Sequence, residues 1–169
     1  SGQSLTRVGF QQSSDNEARI EIWRLVNPPA GTANVVVTLN QSCDDAVVAV
    51  ASTFSGVHQS TPLGTFASAQ SDLGDSAPQP SLSLASAAGE RVFDLLALDD
   101  ADSVTAPGGG QTQRLNLTQT DSDSGITGAA STKAGASTVS LSWTTSPDSW
   151  ALGAVPIKPA ASGSSIYRL

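Results

Sequence analysis

Along most of this chain apolar residues recur at every second position, and almost nowhere with the 3.6-residue period of a helix. In Ser137-Thr-Val-Ser-Leu-Ser-Trp-Thr144, the apolar Val139, Leu141 and Trp143 alternate with Thr138, Ser140, Ser142 and Thr144. Successive side chains of a β-strand point to opposite faces, so this run predicts one apolar face and one hydroxylated face. Val35, Val37 and Leu39 share a face opposite Val36 and Thr38. Arg19–Val26 sets Ile20, Ile22 and Val26 against Glu21, Trp23 and Leu25, which predicts partial cover on both sides. Ala46–Phe54, rich in Val and Ala, predicts a central strand, and Ser81–Leu84 a short one. Gln111–Thr118 alternates Arg114 and Asn116 with Leu115 and Leu117. Trp150–Ile157 places Trp150, Leu152 and Ala154 opposite Ala151, Val155 and Ile157. Arg91–Leu98 fits a helix through Val92, Leu95 and Leu96, and equally a buried strand; the turns around it favour the strand.

Turn chemistry separates these runs. Asn27-Pro-Pro-Ala-Gly31, Thr61-Pro62, Ala77-Pro-Gln-Pro80 and Pro107-Gly-Gly-Gly110 supply residues with fixed φ or access to positive φ. About nine or ten short strands at this spacing, with no amphipathic helix between them, predict an all-β fold: an antiparallel two-sheet β-sandwich of the jelly-roll or Greek-key kind. There is no internal repeat. Residues 1–159 read as one domain and residues 160–169 as a linker-like tail that ends in Ile166-Tyr-Arg-Leu169.

Composition excludes several functions. The chain has 169 residues, 8 Lys and Arg against 15 Asp and Glu, and a net charge of −7. So few, scattered cations cannot form the basic face that nucleic acid needs. No window of uninterrupted apolar residues is long enough for a membrane span. One Cys makes no internal disulfide, and one His no multi-histidine metal site. Met is absent, and small or hydroxylated residues make up nearly half of the chain. Such a weakly charged, oxidation-resistant surface points to an extracellular or cell-surface setting.

The residues that bear chemistry are sparse. His58 sits in a loop, Gly56-Val-His-Gln-Ser-Thr-Pro62, without a Gly-x-Ser-x-Gly elbow, and reads as a solvated histidine. Cys43 precedes Asp44 and Asp45, whose charges oppose a thiolate. The three glutamates, Glu17, Glu21 and Glu90, show no facing pair for glycoside hydrolysis. No catalytic residue is therefore assigned, and the chain is read as non-enzymatic. Calcium is the one cofactor considered: Asp121 and Asp123 are spaced as in a calcium loop, and Asp99, Asp100 and Asp102 form a second acidic loop. Both loops are also ordinary turn chemistry. Trp143 and Trp150 belong to alternating strands and read as core, whereas Trp23, sharing a face with Glu21, is the best exposed platform for a sugar ring. Asn40-Gln-Ser42 and Asn116-Leu-Thr118 match glycosylation acceptors, a pattern common by chance.

Several segments together resemble a known family. Glu21-Ile-Trp-Arg-Leu-Val-Asn-Pro-Pro-Ala-Gly31 followed by Val35-Val-Val-Thr-Leu39 is similar to a β-sandwich module of large secreted and cell-surface bacterial proteins. So are Phe54-Ser-Gly-Val57 with Thr61-Pro62, Ser149-Trp-Ala-Leu-Gly-Ala-Val-Pro-Ile-Lys-Pro159, and the opening Gly2-Gln-Ser-Leu-Thr-Arg-Val-Gly9. The resemblance implies an extracellular, non-enzymatic module for structure, adhesion or display, with no catalytic motif to carry over.

In that family one or two strands usually precede the Gly2-Gln-Ser-Leu-like segment, so the resemblance implies a sandwich that lacks its leading strand. An open sheet edge is an association site. The expected fillers are a strand from another copy of the chain, a detached N-terminal segment, or the chain's own tail. Leu5, Val8, Ile166, Tyr167 and Leu169 are the candidate association residues. The leading expectation is a structural subunit of a fibre, sheath, surface layer or coat that shares strands. The alternatives are a carbohydrate-binding or adhesion module and a viral capsid decoration protein.

Overall fold

The structure is a computed structural model, and it describes residues 2–40, 46–73, 76–99, 104–120 and 125–161. Ten antiparallel strands form among them: β1 (Thr6–Gln12), β2 (Arg19–Arg24), β3 (Ala67–Ser71), β4 (Ser81–Leu84), β5 (Arg91–Asp99), β6 (Val104–Pro107), β7 (Gln111–Thr120), β8 (Gly125–Ala134), β9 (Val139–Thr145) and β10 (Trp150–Ile157). A five-stranded sheet runs β3-β10-β5-β8-β7, a three-stranded sheet runs β4-β9-β6, and β1 and β2 form a separate ribbon. The all-β sandwich expected from the alternation is present, and Arg91–Asp99 is a strand.

The alternation of β9 becomes the wall of the core. Val139, Leu141 and Trp143 are buried, while Ser140, Ser142 and Thr144 are exposed. Trp143 and Leu82 pack with Leu96, Leu98, Ala129, Trp150 and Leu152 of the larger sheet. Leu84, Val139 and Leu141 meet Val92 and Ala154 further along. Each such side chain contributes about 1.5–3 kcal/mol when buried.

Strand β10 is buried at all eight positions, because its second face is covered too. Ala18 and Ile20 of the ribbon region pack with Ala97 and Ala151, and Phe66 joins them. Small residues allow the ribbon to approach this closely. A Cβ added at Gly9 or Gly153 would lie 2.5–2.9 Å from the Phe66 ring, which is wedged between the two backbones. The sandwich therefore has a partial third layer. Pro156 is accommodated in this strand because the β3 ladder stops at Ala154↔Ala67; beyond it the Pro156 carbonyl accepts from Gly64 N–H at 2.8 Å, and the missing N–H breaks no long ladder.

Two expected strands are absent. Val35–Leu39 and Ala46–Phe54 lie outside every sheet. Alternation describes a strand only where a neighbour offers a hydrogen-bond ladder. Here the inner face of the large sheet is filled by β4 and β9, and the outer face of β10 is taken by the ribbon. The second run is held instead by side chains: Val48 occupies the notch at Gly128, where a Cβ would lie 2.7 Å from its methyl. Phe54 packs edge-on against Phe93 at 6.0 Å. The first run is exposed throughout. Strand β8, with the sequence Gly-Ile-Thr-Gly-Ala-Ala-Ser-Thr-Lys-Ala, gave no alternation signal because its apolar positions are mostly Ala and Gly, yet it is central.

Candidate functional site

The outer face of the ribbon carries an exposed network of charged and aromatic side chains. Register pairs Arg7 with Trp23, Phe10 with Glu21 and Gln12 with Arg19. Ile20 and Ile22 are turned inward and buried, which leaves Arg19, Glu21 and Trp23 on the outer side. The Glu21 carboxylate accepts from Arg19 Nε at 2.9 Å and Nη2 at 2.5 Å, and from Trp23 Nε1 at 3.0 Å. Arg7 adds a looser ion pair with Glu21 at 3.9 Å. The guanidiniums of Arg7 and Arg19 lie 4.9 and 4.5 Å from the Phe10 ring centre. Trp23 is 49% exposed with its indole N–H already satisfied, so it offers a flat apolar surface fixed in orientation. The sequence pairing of Trp23 with Glu21 on one face is what the structure brings together. Phe10 and the two arginines were not anticipated; only the strand register places them beside it.

The other expected sites disperse. Leu5 precedes β1 and is exposed, and Val8 is half-buried at the irregularity between Arg7 and Gly9. Ile166, Tyr167 and Leu169 lie outside the described residues, as do Cys43, Asp100, Asp102, Asp121 and Asp123. Asp99 ends β5 and its N–H donates to Ser149 O. Among the described residues no three His, Cys, Asp or Glu side chains converge. His58 is half-buried and not simply solvated: its Nδ1 accepts from the backbone N–H of Thr61 at 3.0 Å and of Ser60 at 3.3 Å. It organises its own loop.

One buried acid escaped sequence reasoning. Asp94 lies in the middle of β5 with no exposed surface. Its carboxylate accepts from Trp143 Nε1 at 2.7 Å and from the Ser131 hydroxyl, and Gln111 Nε2 donates to Ser131 Oγ at 3.0 Å. Burial pushes the Asp94 carboxyl above its ordinary value, against these two donors. The acid joins the two sheets and is sealed from solvent. A lone acid inside an apolar run was the signal that could have marked it. Asp15 is the opposite case. Burial again raises its value, but donors from Ser13, Ser149 and the Glu17 backbone outweigh that and hold it below the ordinary range. The Ser149 hydroxyl donates to it at 2.5 Å, tying the β1–β2 turn to the start of β10.

Comparison of the chain with family models, with curated proteins and with solved structures finds no match.

Proposed function

We propose that this chain is a non-enzymatic structural module of an extracellular assembly, a fibre, sheath, surface layer or coat, whose subunits associate by sharing strands. The observation that carries the proposal is Val35–Leu39. Its large apolar residues are 52–74% exposed, and none of residues 35–39 makes a hydrogen bond among the described residues. A β-branched, alternating run left in water is a strand without a sheet. Strand β7 supplies a matching edge: ten residues long, at the end of the large sheet, with β8 as its only neighbour there among the described residues. A run on one copy pairing with β7 of the next is a head-to-tail contact, which propagates as a filament unless it closes into a ring. Ladder bonds of about 1 kcal/mol net each and apolar burial of about 1.5–3 kcal/mol per side chain stand against an ordering cost of about 1–2 kcal/mol per residue. The charge-poor, sulfur-poor composition supports the extracellular setting, and the use of the His58 Nδ1 by its own loop supports a non-enzymatic role. A viral decoration protein would use the same contact.

Light scattering at increasing concentration tests this, with electron microscopy of the same samples. Mass should rise with concentration, and Val37→Pro, which removes a donor from the run, should return the chain to monomer without moving its thermal midpoint. A wild-type monomer at every concentration overturns the proposal, as does a Val37→Pro variant that still associates.

A second reading, a carbohydrate-binding or adhesion module, is favoured by Trp23 alone, whose exposed ring is held beside Glu21 and Arg19. It requires that Trp23→Ala abolish retention on a polysaccharide that retains the wild type.

A further inference from the structure

At the far end of the large sheet from the Asp15–Ser149 contact, a cavity of about 530 Å³ opens between residues 52–57 and the sheet's outer face. Its floor includes Thr132 and Ile157, and its roof includes Phe54. Arg91, Arg114 and Lys158 line it, three of the eight cationic residues in a chain of net charge −7, and no Asp or Glu lines it. They come from the start of β5, from β7 and from the residue after β10, so the strand order alone gathers them.

None of the three is ion-paired among the described residues; the ion pairs there are those of Glu21 with Arg7 and Arg19. Arg114 is held in place, since its Nε donates to Thr132 Oγ1 at 2.9 Å, and that bond leaves both terminal nitrogens available. The walls are fixed as well. The Phe54–Phe93 contact anchors the roof, and the closed end is stitched by His58 N–H to Lys158 O at 3.0 Å and Ala160 N–H to Gly56 O at 2.7 Å. Gathering cations around a concavity costs repulsion that an acidic chain has the means to relieve, and among the described residues no carboxylate pairs with them. The volume falls in the ~300–1,000 Å³ range of small-molecule sites.

We infer that this cavity is a binding site for a small oxyanion-bearing ligand, one carrying a carboxylate, sulfate or phosphate group. Arg114 and Arg91 present planar N–H forks suited to two oxygens of such a group, and Lys158 adds a point charge. Ser52, Thr53 and Ser55 also line the cavity and supply hydroxyls for a polar part of the ligand, and Phe54 supplies an apolar surface. Val35–Leu39 does not line the site, which meets the edge proposed for strand sharing only at Arg114 of β7.

Titration of the isotope-labelled chain with sodium sulfate, sodium phosphate, glucuronate and glucose, followed by NMR at the arginine side-chain N–H groups, tests the inference. The expected result is saturable shifts at Arg91 and Arg114 with the anions and none with glucose. Arg91→Gln and Lys158→Gln should each weaken the tightest anion roughly tenfold, and Arg24→Gln, on the ribbon, should leave it unchanged. Glucuronate saturating first assigns the site to an organic anion; sulfate or phosphate saturating first assigns it to a free inorganic one. Glucose shifting the same signals, no saturation, or equal shifts at every arginine would overturn the inference. Backbone spectra of the variants, unchanged outside the cavity, establish that they are folded.

Discussion

Asp94 shows how a single side chain can hold two sheets in register and still oppose stability at neutral pH. Its carboxylate fixes Trp143 through the indole N–H and Ser131 through the hydroxyl. Removing it in Asp94→Ala leaves two buried donors without an acceptor, at about 1–3 kcal/mol each, and should lower the urea midpoint accordingly. The pH dependence has a definite sign. The native value lies above the ordinary one. Between an unfolded value of about 3.9 and that raised native value, the folded chain holds a proton that the unfolded chain releases. The stability this proton contributes is full below the unfolded value and is lost as pH rises through the native one. Asp94→Asn has no such proton, so the wild type should lose ground to it in urea denaturation as pH climbs from ~4. A wild-type advantage that grows with pH would contradict the raised value. Asp15 runs the other way: its contribution is present above the ordinary value and fades as pH falls through its lowered native one. Ser149→Ala should therefore flatten the acid limb of the stability profile.

At the scale of elements, small residues decide which surfaces meet. The ribbon lies on β10 because Gly9 and Gly153 leave room for Phe66 between them, and Ile20 reaches the same notch. Gly153→Val would place a branched side chain where Ile20 and Phe66 already sit, at 2.6–2.9 Å from the first added carbon. Overpacking of this kind costs about 1–3 kcal/mol. The ribbon should loosen first, visible as faster hydrogen exchange at Ile20 and Ile22 than at β9. Gly128→Val makes a parallel test on β8. It fills the notch that Val48 occupies, so residues 46–54 should become protease-sensitive while the thermal midpoint moves far less than with Gly153→Val. Equal sensitivity in the wild type would mean that Val48 does not hold that segment. Both glycines are silent in a hydropathy pattern, since what matters at each is the absence of a Cβ under a neighbour that only the fold supplies.

For the molecule as a whole, the division of charge is the consistent theme. Six of the eight cationic residues fall in two groups: Arg7, Arg19 and Arg24 on the ribbon, and Arg91, Arg114 and Lys158 around the cavity. Added salt should weaken anion binding at the cavity by screening. It should leave strand-mediated association intact or strengthen it, because that contact is apolar and hydrogen-bonded and like-charged copies repel less. Light scattering in low and high sodium chloride separates the two. Association that collapses in salt would point to an electrostatic contact in place of a shared strand.

The linear sequence determined the all-β class and the strands that carry large apolar residues in a clear pattern. Val139–Thr145 and Trp150–Ile157 carry dense, large apolar residues, and hydrophobic burial alone forces such alternation into a sandwich. It also marked Trp23 as the aromatic left outside, because its face of β2 is shared with Glu21. Tertiary structure alone decided the rest. Val35–Leu39 is mostly β-branched and is apolar on the face of Val35, Val37 and Leu39, yet it has no ladder, because pairing depends on a free edge being within reach and local pattern carries no information about that. Gly125–Ala134 became a central strand with hardly any pattern, because Ala and Gly are what fit beneath close neighbours. The cavity cations stand at positions 91, 114 and 158, separated by whole strands. Their meeting is a consequence of strand order, and strand order is set by the long-range packing of the entire core.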